Sequence, residues 1–153
     1  MTIEEYREEW KGEFFSLNKA WIDRYFTMEE ADWEMLSHPE RYLQAGAMIY
    51  FAVEEGMVLA TCMATPMMGE EWEICKLATR EGYHGRGAGS AVLRACMDYA
   101  TKHGAKKLTI VTNHILKPAL HIYEKFGFRP VPVTDCEYQR GDVQLEWLCQ
   151  EKA

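Results

Sequence analysis

At 153 residues, with 48% apolar and 27% charged residues, the chain has the size and composition of one folded domain around one hydrophobic core, and no stretch is polar enough to stay disordered. Its formal net charge of -7 argues against a nucleic-acid partner, because such binding draws on lysines and arginines that neutralise phosphates; the acidity serves solubility and would equally suit a cationic ligand. No run approaches the roughly 18 apolar residues that span a bilayer, and the acidic start MTIEEYREEW is unlike a secretory leader, so a cytoplasmic protein with no membrane partner is expected.

In chain order, residues 2–6 read as a short strand. Trp10, Phe14, Leu17, Trp21 and Tyr25 then recur at steps of three and four, the spacing of one apolar helix face. A second helix is expected over residues 29–36, with Met28, Ala31 and Met35 inward, ending before Pro39. The period then changes to that of strands. Residues 47–53, 58–65 and 72–78 are short apolar or alternating runs parted by Glu54-Glu55-Gly56 and Gly69-Glu70-Glu71, which reads as an antiparallel meander.

From Ala88 the helical period returns. Ala88, Ala91, Val92, Ala95, Cys96 and Tyr99 share a face, and Lys102, His103 and Gly104 mark the end. Residues 107–112 are a β-branched strand. Pro118 and Gly127 bracket a further helix, and residues 131–133 and 143–147 supply two last strands. The order is β-α-α-β-β-β-α-β-α-β-β. The strand, helix, strand unit over residues 72–112 implies one parallel pair inside a mostly antiparallel sheet, a single α+β domain over residues 1–153.

Five cysteines (Cys62, Cys75, Cys96, Cys136, Cys149) are odd in number and widely spaced, without a CxxC pair, and read as free, mostly buried thiols. His38, His103, His114 and His121 lack metal-ligand spacing, so no metal is expected.

The stretch from Leu77 to Ser90 carries the chemistry: a strand empties through Gly82, Gly85, Gly87 and Gly89 into the long helix. Such a turn aims several backbone N–H groups at one anion, glycine lets a phosphate approach without a Cβ in the way, and the helix start adds about half a positive charge. The same glycines would also serve a tight connection that binds nothing. Two other phosphate loops fail on spacing: GxGxxG begun at Gly85 meets Ser90, and GxxxxGK begun at Gly82 meets Ala88 where lysine is required.

His84-Gly85-Arg86-Gly87-Ala88-Gly89 resembles the acetyl-CoA pyrophosphate signature of GNAT acetyltransferases, in which an arginine or glutamine, two residues, glycine, one residue and a glycine or alanine follow in order. The departure is His84 at the Arg/Gln position. Asn113, Ala119, Tyr123 and Gly127-Phe128 resemble the second motif of the family, on its coenzyme-binding helix. Leu17-Asn18-Lys19-Ala20-Trp21-Ile22 and Leu116-Lys117-Pro118-Ala119 are similar to members fused to MarR-type regulators, here without the regulator.

The resemblance implies transfer of acetyl from acetyl-CoA, as co-substrate, to a primary amine of a small-molecule or peptide acceptor. It implies that the strand before the glycine turn splays at a bulge, with Leu77, Ala78 and Thr79 along the pantetheine arm and the Ala78 N–H as oxyanion donor. His84, Gly85, Arg86, Gly87, Ala88, Gly89 and Ser90 would cradle the phosphates. Asn113 would bond the pantetheine amide, with Lys117 and Ala119 near the coenzyme. Tyr123 stands where relatives protonate the departing thiolate, and Glu73 where they place a carboxylate base. Alternation would set Glu73, Cys75 and Leu77 on one strand face, and Glu73 could equally lie at a solvated strand start. Asn18, Trp21, Tyr25 and Trp33 are the acceptor-site candidates, an aromatic stripe that core packing would explain as well; Asn18, if buried, requires a partner. A catalytically silent, coenzyme-binding regulatory module is the competing reading. Apolar strands near the C-terminus could pair two copies as a homodimer.

Overall fold

The computed structural model describes residues 1–134 and 137–149. One sheet of seven strands runs β1 (Thr2–Glu5), β2 (Met48–Glu54), β3 (Met57–Pro66), β4 (Glu71–Thr79), β5 (Lys107–Thr112), β7 (Val143–Leu148) and β6 (Arg129–Val131) in spatial order. Every pairing is antiparallel except β4 with β5, as expected for strands joined by a helical crossover. Helices α1 (Lys11–Tyr25), α2 (Glu30–Ser37) and α3 (Pro39–Gln44) precede the meander, α4 (Ala88–Lys102) makes the crossover, and α5 (Lys117–Lys125) follows β5. This α+β arrangement is the expected one, and among the described residues no helix is long and apolar enough to cross a membrane.

Two apolar layers sandwich the sheet. On one face Val92, Leu93, Cys96 and Met97 of α4 pack with Ala60, Cys62, Ile74, Leu108, Ile110 and Leu145. On the other, Phe14, Leu17 and Ile22 of α1 and Met35 and Leu36 of α2 cover Ile49, Phe51, Met63 and Ala78. The periodicities located both helices and part of each buried face, Phe14 and Leu17 in α1 and Ala88, Val92 and Cys96 in α4, with the face centred a little to one side of the expected line. In α1 the inward line is Phe14, Leu17, Asn18 and Ile22, which leaves Tyr25 46% exposed. In α4 it is Val92, Leu93, Cys96, Met97 and Ala100, with Ala91 and Ala95 at its margin.

Three boundaries differ from the expectation. Pro39 does follow the end of α2, but it also starts α3, since proline suits a first helical turn whose N–H groups need no intrahelical partner. The strand placed at residues 131–133 lies at Arg129–Val131, where it pairs with β7, and Val133 is 44% exposed. Leu77 does not share a face with Glu73 and Cys75: Cys75 packs toward α1, whereas Leu77 packs against the α4 layer. The reason is a bulge. Thr61 pairs with Ala78 and Met63 with Cys75, so Cys62 alone opposes Lys76 and Leu77, and Lys76 takes a left-handed φ of 55°. Cys62, Cys75, Cys96 and Cys149 are free thiols, Cys62 and Cys96 being buried; Cys136 lies outside the described residues.

Gly127 closes α5 with φ of 96°, and a Cβ there would stand 3.4 Å from the Trp147 indole. Gly127→Ala is expected to lower unfolding free energy by about 1–2 kcal/mol through left-handed strain, with the indole only just able to give way, measured by urea denaturation.

Candidate active site

The parallel ladder between β4 and β5 ends at Glu73 with Thr109. Beyond that rung the bulge at Lys76 turns β4 away, and a cleft opens between the two strands. Its floor and walls include Glu73, Cys75, Leu77, Ala78 and Thr79 of β4, Ile110 to Asn113 of β5 and its end, Pro118, Ala119, Ile122 and Tyr123 of α5, and Leu17, Trp21, Arg24 and Tyr25 of α1. Tyr138, Arg140 and Gly141, from the loop before β7, and Glu81 and His84, from the turn before α4, also line it.

The glycine turn has the conformation that its composition anticipates. Gly82, Gly85 and Gly87 have φ of 87°, 83° and 84°, and a Cβ on any of them would meet nothing within 4 Å, so conformation and not crowding requires glycine there. Gly87 caps α4 without a side-chain bond, and the α4 N–H groups that follow are those a helix leaves without an intrahelical partner. Gly89 serves differently: a Cβ would come 3.1 Å from Thr79 Oγ1, so its bareness lets α4 press against β4. Ala88 is buried beneath the turn, and Ser90 lies partly buried in the first helical turn. Arg86 lies over Tyr83, 4.9 Å from the ring centroid, and 3.9 Å from Glu54. Arg80, just before the turn, donates to Val58 O at 2.7 Å and to Glu13 at 2.5 Å, which ties the end of β4 to β3 and α1.

Tyr123, on α5, lines the same cleft as Glu73 on β4. It is 6% exposed, packs edge-on against Phe128, and burial pushes its phenol well above the ordinary range, so it stays protonated. Glu73 is raised to about 7, first by burial and then by Glu137, against the opposing pull of Lys76. The solvated-start alternative for Glu73 therefore gives way to a partly desolvated carboxyl facing the cleft. Burial raises the Cys75 thiol too, which keeps it a neutral lining group.

Of the four acceptor-site candidates, Trp21 and Tyr25 line the cleft. Asn18 is fully buried behind them: its amide donates to Phe14 O at 3.0 Å, and its oxygen accepts from Trp21 Nε1 at 3.0 Å, fixing the indole. Trp33 lies against Phe15 on the outer side of α2, beside Glu30 and Glu34 in a separate surface groove. Asn113 borders the cleft with its side chain already engaged, donating to Arg140 O at 2.8 Å and accepting from Ile115 N at 2.9 Å. Lys117 is exposed at the start of α5.

What the sequence did not reveal is a buried charged group beside Trp21 and Tyr138. Asp32, fully buried on α2, receives Lys76 Nζ at 2.5 Å and a forked pair from Arg140, at 2.5 and 2.7 Å. Lys76 also donates to the Tyr138 hydroxyl at 3.1 Å, and the Arg140 guanidinium lies 4.4 Å from the Tyr138 ring centroid and 5.4 Å from that of Trp21. Burial alone would raise Asp32, but the Arg140 bonds and Lys76 overcome it and hold the carboxyl at about 2. No local signal marks these residues, which stand 44 and 108 positions from Asp32.

Residues 3–128 match the Acetyltransferase (GNAT) family, and the chain belongs to it. An uncharacterised N-acetyltransferase of Escherichia coli K12, YjgM, is 27% identical over 106 residues, a match spanning 63% of this chain and 64% of that protein, just under two thirds. Among solved structures, a GNAT acetyltransferase from Staphylococcus aureus Mu50 superposes with a TM-score of 0.86 at 16% identity, over 95% of this chain and 96% of that one. An acetyltransferase from Salmonella typhimurium, solved with acetyl-CoA, has a TM-score of 0.75 at 16% identity over 100% and 96%. An aminoglycoside 6'-N-acetyltransferase complexed with coenzyme A gives 0.77 at 14% over 100% and 99%. At these identities the structural likeness concerns the fold.

Asp32→Asn is expected to destabilise the protein by about 3 kcal/mol or more, because Lys76 and Arg140 would lose their counter-charge in a buried place. In the wild type the Asp32 contribution is present above the unfolded carboxylate value near 4 and is lost as pH falls toward 2. Urea midpoints between pH 7 and pH 3 should drop less in Asp32→Asn than in the wild type.

Proposed function

We propose that the chain is an N-acetyltransferase that carries acetyl from acetyl-CoA to a primary amine of a small-molecule or peptide acceptor. The observation that carries this reading is the cleft itself, with a protonated phenol on the α5 wall, a carboxyl of near-neutral affinity on β4, and a glycine turn at the start of α4. Relatives solved with coenzyme A or acetyl-CoA share the fold and support the choice of donor.

In this scheme the turn from Gly82 to Gly89 receives the pyrophosphate, with His84 in place of the usual arginine or glutamine, and Leu77, Ala78 and Thr79 run beside the pantetheine arm. The Ala78 N–H is the oxyanion donor. The amine attacks the thioester carbonyl, its proton passes to the Glu73 carboxylate directly or through water, and Tyr123 protonates the leaving thiolate. The high proton affinity of Tyr123 keeps the phenol loaded at neutral pH, and the near-neutral value of Glu73 suits a group that must accept a proton and release it each cycle. Trp21 and Tyr25 wall the acceptor end. We read residues 1–153 as one transferase domain acting in the cytoplasm. Kinship with regulator-fused members rests on the two short stretches around Trp21 and Pro118, and pairing of two copies through the C-terminal strands belongs to the same reading. His84 leaves room for one rival, a coenzyme-binding module without turnover, against which Tyr123 speaks.

A calorimetric titration with acetyl-CoA, with NAD and ATP as controls, is expected to show selective binding; its absence would sink the reading. In an amine screen, binding without turnover on any acceptor would favour the silent module. With an active acceptor, kcat/KM should rise with pH through a midpoint near 7, and Glu73→Gln should lower kcat by roughly 100-fold and remove that limb. Tyr123→Phe should lower kcat by roughly tenfold or more with little change in KM, measured by thiol release.

A further inference from the structure

The last rung of the β4–β5 ladder places Thr109 directly beside Glu73. Register neighbours share a sheet face, so both side chains lie opposite the layer that buries Leu108 and Ile110. Glu146 of β7 pairs with Thr109 from the other side, and Lys107, one step along that face, bonds both Glu71 at 2.7 Å and Glu146 at 3.3 Å. Thr109 is 4% exposed, and its hydroxyl is a buried side-chain oxygen without a hydrogen-bond partner. Such a group costs about 1–3 kcal/mol when left unmet, so a threonine at this rung needs a reason that a valine, equally suited to the strand, would not.

We propose that Thr109 is a positioning residue for Glu73, its hydroxyl holding, through one bridging water, the carboxyl that takes the acceptor's proton. Adjacent strands lie about 4.8 Å apart, room for one water between two polar groups that do not touch. The hydroxyl suits both states of the carboxyl, because it donates toward the carboxylate and accepts from the protonated acid. Lys76 can only donate and favours the charged form alone. The other titratable or charged groups around this pair are Cys75 on β4, Glu71, Lys107 and Glu146 on the same sheet face, Asp32 on α2, and Glu137, Tyr138 and Arg140 in the loop before β7. The proposal rests on Glu73 being the proton acceptor, and its test does not require an acceptor substrate.

Infrared difference spectra of the whole protein across pH 5 to 9 would follow the protonated carboxyl band, with Glu73→Gln identifying which band belongs to Glu73. Thr109→Val should raise its midpoint by about half a pH unit or more, a roughly threefold gain in proton affinity, since of the two bonds lost the charge-assisted one to the carboxylate is the stronger. It should also move the band toward that of a carboxyl without a hydrogen bond. Thr109→Ser should restore both, and thermal stability should be little changed in Thr109→Val, which keeps the β-branched shape of the strand and removes a hydroxyl bonded to no other protein group; Thr109→Ala serves if valine does not fold. An unchanged midpoint and band in Thr109→Val would overturn the proposal, as would equal shifts in the valine and serine variants. If no band near neutral pH disappears in Glu73→Gln, the proton-acceptor role of Glu73 falls and the proposal falls with it. Band shifts as expected in a protein that acetylates no amine would leave this assignment standing and remove the enzymatic one.

Discussion

The left-handed turn at Lys76 is the constraint on which the cleft depends. A buried lysine with φ of 55° is costly on two counts, backbone strain and charge burial, and it persists because Asp32 on α2 holds its ammonium. The bulge it creates reverses the facing of Leu77 and ends the pairing of β4 with β5 one rung past Trp72 with Leu108. A cleft between two strands of one sheet needs such a device, because regular parallel pairing would close it.

Two carboxyls near that bulge have opposite fates for a shared reason. Asp32 and Glu73 are both withdrawn from water, which favours the neutral acid in each. Asp32 has two cations bonded to it and stays ionised at about 2; Glu73 has Lys76 only at a distance and Glu137 opposing, and rises to about 7. The first is thereby a structural tie between α2, β4 and the loop bearing Arg140. The second is left able to exchange a proton near neutral pH, which is what a base needs and a structural ion pair does not provide.

At the other end of the cleft the glycines divide between two tasks. Gly82, Gly85 and Gly87 supply backbone shape in open space, whereas Gly89 supplies nearness, letting α4 lie against Thr79. Pinning of β4 by Arg80 to Val58 and Glu13 means that the turn departs from a fixed point. The glycine turn at the start of α4 and the splayed strand thus share one pinned segment of β4, and Tyr123 packs against Phe128 beside the cleft.

Much of this was legible in the sequence because it is local. Strand and helix periods and the Pro118 and Gly127 brackets depend on residues a few positions apart, and these located the elements and the parallel pair, while the family resemblance singled out Tyr123 and Glu73, which line one cleft. Pro39 misled because proline ends one helix and begins another by the same missing N–H. Asn18, buried, has the partners that burial demands, whereas Trp33 stands outside the cleft, because an aromatic side chain at helical spacing does not declare which neighbour it meets. The Asp32, Lys76 and Arg140 cluster, the reversal of Leu77 and the proximity of Thr109 to Glu73 were decided only by tertiary structure. Each depends on strand register or on the docking of a helix and a loop far apart in the chain, and both are set by packing across the whole fold, a quantity that no short window of sequence contains.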